Sequence, residues 1–175
     1  DLFRAFIATY RELDDGAGER AALESAAQAC PKAPEFREAL VLRYQKDNDP
    51  AALARLLSQH AAQMSEDPEA AVGLFREAAN VYLTRLSDPL SAARELSAAF
   101  SLRSENLDLG LELALAWEKA VQSGEAAQVM ARLLELPLSA SERVECWMRR
   151  AIFTMQTDGH AKKALADAER AFSES

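Results

Sequence analysis

The chain has 175 residues, 49% of them apolar and 27% charged, with a formal net charge of −8 at pH 7. This composition fits a folded soluble segment and excludes an intrinsically disordered chain. The acidic balance, with five lysines beside fifteen arginines, gives no attraction to phosphate backbones or anionic membranes, so neither nucleic acid nor direct membrane insertion is expected.

Apolar residues recur at spacings of three and four almost throughout. No stretch combines apolar and polar alternation with β-branched enrichment, which makes the chain all-α. In chain order the helices are predicted at about 2–13 and 19–30, with Asp14 to Gly18 in the turn, then at 34–47 and 50–64. They continue at 68–86 and 89–102, at 106–123 and 125–136 on either side of Gly124, and at 140–157 and 160–172 on either side of Gly159. Pro34, Pro50, Pro68 and Pro89 mark starts, because a first-turn proline lacks only an amide that would have no intrahelical partner. Asp49, Asp67 and Asp88 precede three of them as N-caps that accept from free amides. The helices pair as five hairpins, at about 1–30, 34–64, 68–103, 106–136 and 140–172, in a single domain over 1–175. Pro34 and Pro68 lie 34 residues apart, and Gly124 and Gly159 lie 35 apart, so the chain repeats with a period in the middle thirties.

The third hairpin has Phe75, Ala78, Ala79 and Tyr82 on its first helix and Ala92, Leu96 and Ala99 on its second, with one extra residue in the turn. The first has Phe3, Phe6, Ile7 and Tyr10, then Ala22, Ala26 and Ala29 after a lengthened turn. The second has Leu40, Val41 and Tyr44, then Leu53, Leu57 and His60. The fourth has Leu113, Ala116, Trp117 and Ala120, then Val129, Leu133 and Leu136. The fifth has Met148, Ala151, Ile152 and Met155, then Ala164, Ala168 and Ala171. With these spacings the chain resembles the tetratricopeptide repeat family over nearly its whole length, its second and fourth hairpins being the looser matches. The resemblance implies a right-handed α-solenoid of about five antiparallel hairpins. Small residues there let two helices approach, and each hairpin leaves an apolar face that only the next can cover.

Gly73 and Gly110 recur 37 residues apart and point either to close approach of the previous hairpin or to flexible helix starts. The last helix carries Ala161, Ala164, Leu165, Ala168 and Phe172 along one stripe, so the array ends uncapped and reads as a fragment of a longer protein. That stripe could be covered by a further helix, a neighbouring domain or a second copy.

Catalytic constellations are missing: there is no phosphate loop, nucleophile elbow, His-Glu-x-x-His or dinucleotide fingerprint. His60 and His160 have no second ligand at helical spacing, so no metal, no cofactor and no enzymatic activity are expected. Cys30 and Cys146 read as two small buried thiols, because their separation fits neither a disulfide framework nor a metal knuckle. They suggest a cytoplasmic setting. The acidic pairs Glu66 with Asp67 and Asp14 with Asp15 fall at turns, as helix-start anions.

The resemblance also implies a place for function. First helices of such arrays line a concave groove, which makes the chain a scaffold for a partner peptide or protein, with a structural spacer, a self-association module or a peptide-sensing regulatory module as alternatives. Arg76 and Asn80 share a face there, with Glu118 and then Arg149 and Arg150 on the following first helices. This looks like part of a carboxylate clamp, in which guanidinium forks and an amide supply directed donors. Leu115 and Cys146 depart from the clamp pattern, and Glu118 would repel an acidic peptide. The competing reading pairs these arginines with Glu77, Glu118 and Glu145 on a solvated surface.

Overall fold

The structure is a computed structural model that describes residues 2–30, 33–157 and 161–174. Among these residues there are ten α-helices and no strand: α1 (Leu2–Glu12), α2 (Gly16–Ala29), α3 (Pro34–Lys46), α4 (Pro50–Gln63), α5 (Pro68–Val81), α6 (Pro89–Leu102), α7 (Leu107–Lys119), α8 (Ser123–Leu133), α9 (Ala140–Met155) and α10 (Ala161–Glu174). The chain forms two compact units, Asp1–Leu56 and Leu57–Ser175, whose boundary falls within α4. The tetratricopeptide-like, all-helical reading holds.

A repeated turn sets where the first helix of each pair stops. Asp14, Asn48, Ser87 and Val121 have φ of 51, 52, 52 and 59°, one left-handed residue per turn. In three turns the next amide reaches back to the carbonyl of an aromatic residue five positions earlier: Asp15 to Tyr10, Asp49 to Tyr44 and Gln122 to Trp117, each at 2.9 Å. This six-to-one closure satisfies carbonyls that the helix end would otherwise leave open. The residue after the left-handed position then caps the next helix. Asp15 accepts from Gly18 N at 2.9 Å, Asp49 from Ala52 N at 3.0 Å, and Asp88 from Ser91 N at 3.0 Å.

The extra residue of the third hairpin is not in its turn. Residues Tyr82–Leu86 form a π-helical segment, and Asp88 N reaches back six positions to Tyr82 O at 2.9 Å. The insertion is thus absorbed inside the helix as a wider turn, and the left-handed Ser87 and capping Asp88 keep their places.

This closure fixes the phase of the first four hairpins, and three of the expected registers are corrected. In the first, α2 starts at Gly16, so the turn is not lengthened, and Leu23 and Ala26 are buried while Ala29 is exposed. In the fourth, Trp117 occupies the place of Tyr10, Tyr44 and Tyr82, which moves the first-helix set to Gly110, Leu113 and Ala114 and the second to Ala126, Met130 and Leu133. All of the latter six are buried, and of the expected set Ala116 and Val129 are buried with them. In the fifth, Ala151, Ala164 and Ala171 are buried as expected, but Cys146 and Phe153 face the core, and Met148, Ile152 and Met155 are 54, 51 and 72% exposed.

Unit 2 is held by one core that runs through Phe75, Leu96, Phe100, Leu113, Met130, Leu133 and Phe153. Each large side chain buried there contributes about 1.5–3 kcal/mol. Gly110 does make a close approach, but to the paired helix of its own hairpin and not to a neighbouring hairpin: a Cβ on it would lie 2.5 Å from Leu133 Cδ2 of α8. Gly73 does not, having nothing within 4 Å of that position. In unit 1 the buried side chains include Ile7, Leu23, Phe36, Leu40 and Tyr44, with Phe3 edge-on to Phe36 at 6.3 Å.

Around that core lies a charge network. Arg20 bonds Glu24 and Asp49, each at 2.9 Å, and stacks 4.7 Å over the Tyr44 ring. Tyr44 in turn donates to Glu24 at 3.0 Å. Burial, reinforced by that bond, pushes the Tyr44 phenol up to about 12. Arg43 bonds Asp47 and Glu19, and Arg11 also bonds Glu19.

Candidate functional site

The first helices of unit 2, α5, α7 and α9, carry the residues singled out from the sequence. Arg76 lies on α5 and forks onto Glu112 of α7, its Nε 3.0 Å from Oε2 and its second nitrogen on Oε1. The two side chains are 48 and 40% exposed, so the pair stands at the surface. Asn80, one turn further along α5, is exposed on the same face, and its carbonyl accepts from the Thr84 hydroxyl at 2.7 Å. Leu115 of α7 is 40% exposed. Glu118 is half-buried near the end of α7, where its carbonyl accepts from Val121 N at 2.9 Å.

Arg149 and Arg150 are adjacent on α9 and face different surroundings. Arg149 bonds Glu145 one turn earlier, at 2.7 and 3.0 Å. Arg150 turns toward α10 and forks onto Asp167, with Nε 2.8 Å from Oδ2 and a second bond of 2.5 Å to Oδ1. Their side chains are only 13 and 2% exposed. The Arg150 guanidinium also lies 4.3 Å over the Trp147 ring, with Arg170 at 4.9 Å. The structure therefore joins Arg76 and Asn80 on one surface, leaves Arg149 on an ion pair of its own helix, and uses Arg150 to tie α9 to α10.

Glu112 is the residue that sequence reasoning missed. It lies 36 residues beyond Arg76, one repeat period, and that spacing was the signal available. Unit 1 has a related pair at a different spacing: Arg4 follows Phe3 as Arg76 follows Phe75, and Arg4 bonds Glu35, 31 residues on in the first turn of α3, at 2.7 Å. This bond holds the Glu35 carboxyl below the ordinary carboxylate range.

His60 is half-buried on α4, and His160 lies outside the described residues. Among the described residues no group of three or more His, Cys, Asp or Glu could hold a metal ion. No helix there is long and apolar enough to cross a membrane. Cys146 is buried, which raises its thiol pKa, whereas Cys30 is only half-buried.

No family model and no curated protein matches the chain. Solved structures do. A crystal structure of MamA protein aligns with 99% of this chain and 90% of its own, at 14% identity and a TM-score of 0.52. MamA from Desulfovibrio magneticus RS-1 aligns over 99 and 93% at 13% identity, with a TM-score of 0.50. A tetratricopeptide repeat protein from Parabacteroides merdae aligns over 99 and 80% at 14% identity, with a TM-score of 0.44. At these identities the likeness is one of fold.

Proposed function

We propose that the chain is a protein-interaction scaffold that holds a partner segment along the first-helix face of unit 2, over Arg76, Asn80, Glu112 and Leu115, with Arg149 on the next first helix. The observation that carries this reading is the exposed fork between Arg76 and Glu112. It sets paired donors and acceptors between two successive first helices, beside an exposed amide and a half-exposed leucine. Arg150 is left out, since its guanidinium is committed to Asp167.

A bare carboxylate clamp fits this face poorly. A C-terminal carboxylate would have to displace Glu112 from Arg76 and Glu145 from Arg149, which loses one charge-assisted bond for each it gains. A segment with both charges loses nothing: its acidic group shares the guanidinium while a neighbouring basic group takes the freed carboxylate oxygen. The favoured partner is therefore an internal stretch of mixed charge with an apolar side chain for Leu115.

Selection of a random peptide library on the immobilised chain tests this. Enriched peptides are expected to alternate acidic and basic residues. Their affinity should fall about tenfold in Asn80→Ala and in Arg76→Ala, as for other central polar contacts. Peptides that bind both variants as tightly as the unsubstituted chain would sink the proposal.

A further inference from the structure

The last hairpin leaves two apolar seams open on one side. Met148, Ile152 and Met155 stand out from α9, and Leu165 and Phe172, 61 and 85% exposed, stand out from α10. Met148, Ile152, Met155 and Leu165 bound an open cleft of about 370 Å³ that Ala151 and Ala164 also line. Elsewhere in unit 2 such surfaces are packed by a following helix, α7 on α6 and α9 on α8.

The seam of α10 is complementary to itself. Ala161, Leu165, Ala168 and Phe172 advance by four, three and four residues, the spacing of a coiled-coil seam. When two copies lie antiparallel about a twofold axis midway between Leu165 and Ala168, every large residue meets a small one. Phe172 faces Ala161 of the second copy and Leu165 faces Ala168, which is how layers interdigitate without voids. The same symmetry sets Lys162 beside Glu169 of the second copy on the flank of the seam, twice over. Lys162 and Glu169 are both exposed, whereas Arg170 is held over Trp147 and Asp167 by Arg150, away from that flank.

We infer that a second copy of the chain covers this face, with α10 packed antiparallel on α10 in a twofold dimer. The α9 and α10 helices of both copies then form a four-helix bundle, and Met148, Ile152 and Met155 close over the other copy's Leu165 and Phe172. The occupant is set by size and charge together, since a helix lacking the alternation of small and large residues would leave voids opposite Ala161 and Ala168.

Sedimentation equilibrium of the 175-residue chain tests the inference. The chain should be dimeric at about 100 μM and dissociate on dilution. Leu165→Glu should raise the dissociation constant by about 100-fold or more, because it seats two carboxylates in the seam. Leu165 is exposed in the single chain, so the variant should keep its helical circular dichroism. Lys162→Glu and Glu169→Lys should each weaken the dimer about tenfold, and the two together should restore it to within about threefold. A chain that stays monomeric at that concentration would overturn the inference. So would a dimer indifferent to Leu165→Glu, one dissociated instead by Phe6→Glu on α1, or a double charge variant no better than either single one.

Discussion

Gly110 and Leu133 exchange the sizes that Phe75 and Ala99 have in the preceding hairpin. The large residue of the third hairpin sits on its first helix and that of the fourth on its second, and a Cβ on Gly110 would come within 2.5 Å of Leu133 Cδ2. The interface between paired helices is filled in both, from opposite sides. The sign of one substitution therefore depends on the other residue. Gly110→Ala should destabilise the chain by about 1–2 kcal/mol, a clash offset in part by better helix propensity. Leu133→Ala should cost about 2–5 kcal/mol. In the Leu133→Ala background, Gly110→Ala should instead stabilise by about 1 kcal/mol. Urea denaturation of the four proteins measures this coupling, and additive effects would refute the packing described.

Val121 offers a stabilising change. It is a β-branched residue at φ 59° and 84% exposed, so it bears the strain of the left-handed turn and gains little from burial. Val121→Gly should raise stability by about 1 kcal/mol, which a thermal melt would register as an upward shift.

The two neighbouring arginines of α9 should separate sharply. Removing Arg150 leaves the Asp167 carboxylate buried and unpaired, a loss of about 3–5 kcal/mol. Arg149→Ala opens only a partly exposed pair within one helix, at about 0.5 kcal/mol or less. Equal effects in chemical denaturation would contradict the placement of Arg150.

Acid should weaken the fold through its helix caps. The Asp88 carboxyl is held below its ordinary 3.8 by the Ser91 hydroxyl and amide, and Asp49 is held below the same value by the Ala52 amide and by Arg20. Unfolding returns each to the ordinary value, so the unfolded chain binds protons more tightly. The stability they supply is complete above about pH 5 and is lost as pH falls through the folded values. Asp88→Asn keeps a capping acceptor but cannot titrate, and melts from pH 6 downward should show a shallower decline for it (about one titrating carboxylate fewer).

Most helix boundaries were legible because punctuation at this chain's turns is local: proline at the first position and an aspartate before it act within four residues. Register was not. With alanines at so many positions, Ala22, Ala26 and Ala29 or Val129, Leu133 and Leu136 satisfy the same spacing one turn out of phase. What fixes the phase is the bond from the capping residue to Tyr10, Tyr44 or Trp117, and the left-handed residue that permits it can be Asp, Asn, Ser or Val. The stripe of Met148, Ile152 and Met155 has core spacing yet lies outside, because periodicity reports that a face is apolar and not what covers it. At the candidate site, the shared face of Arg76 and Asn80 followed from helical spacing alone. The division of labour between Arg149 and Arg150 depended on where α10 lies, which no spacing within α9 could reveal.

The most direct measurement is a nitrogen-15 and carbon-13 NMR titration of the chain with a peptide enriched by selection. The scaffold reading predicts shifts concentrated at the amide of Asn80, the guanidinium of Arg76 and the methyls of Leu115, with Leu165 and Met155 unmoved. Shifts confined to α9 and α10, with Arg76 and Asn80 silent, would contradict it.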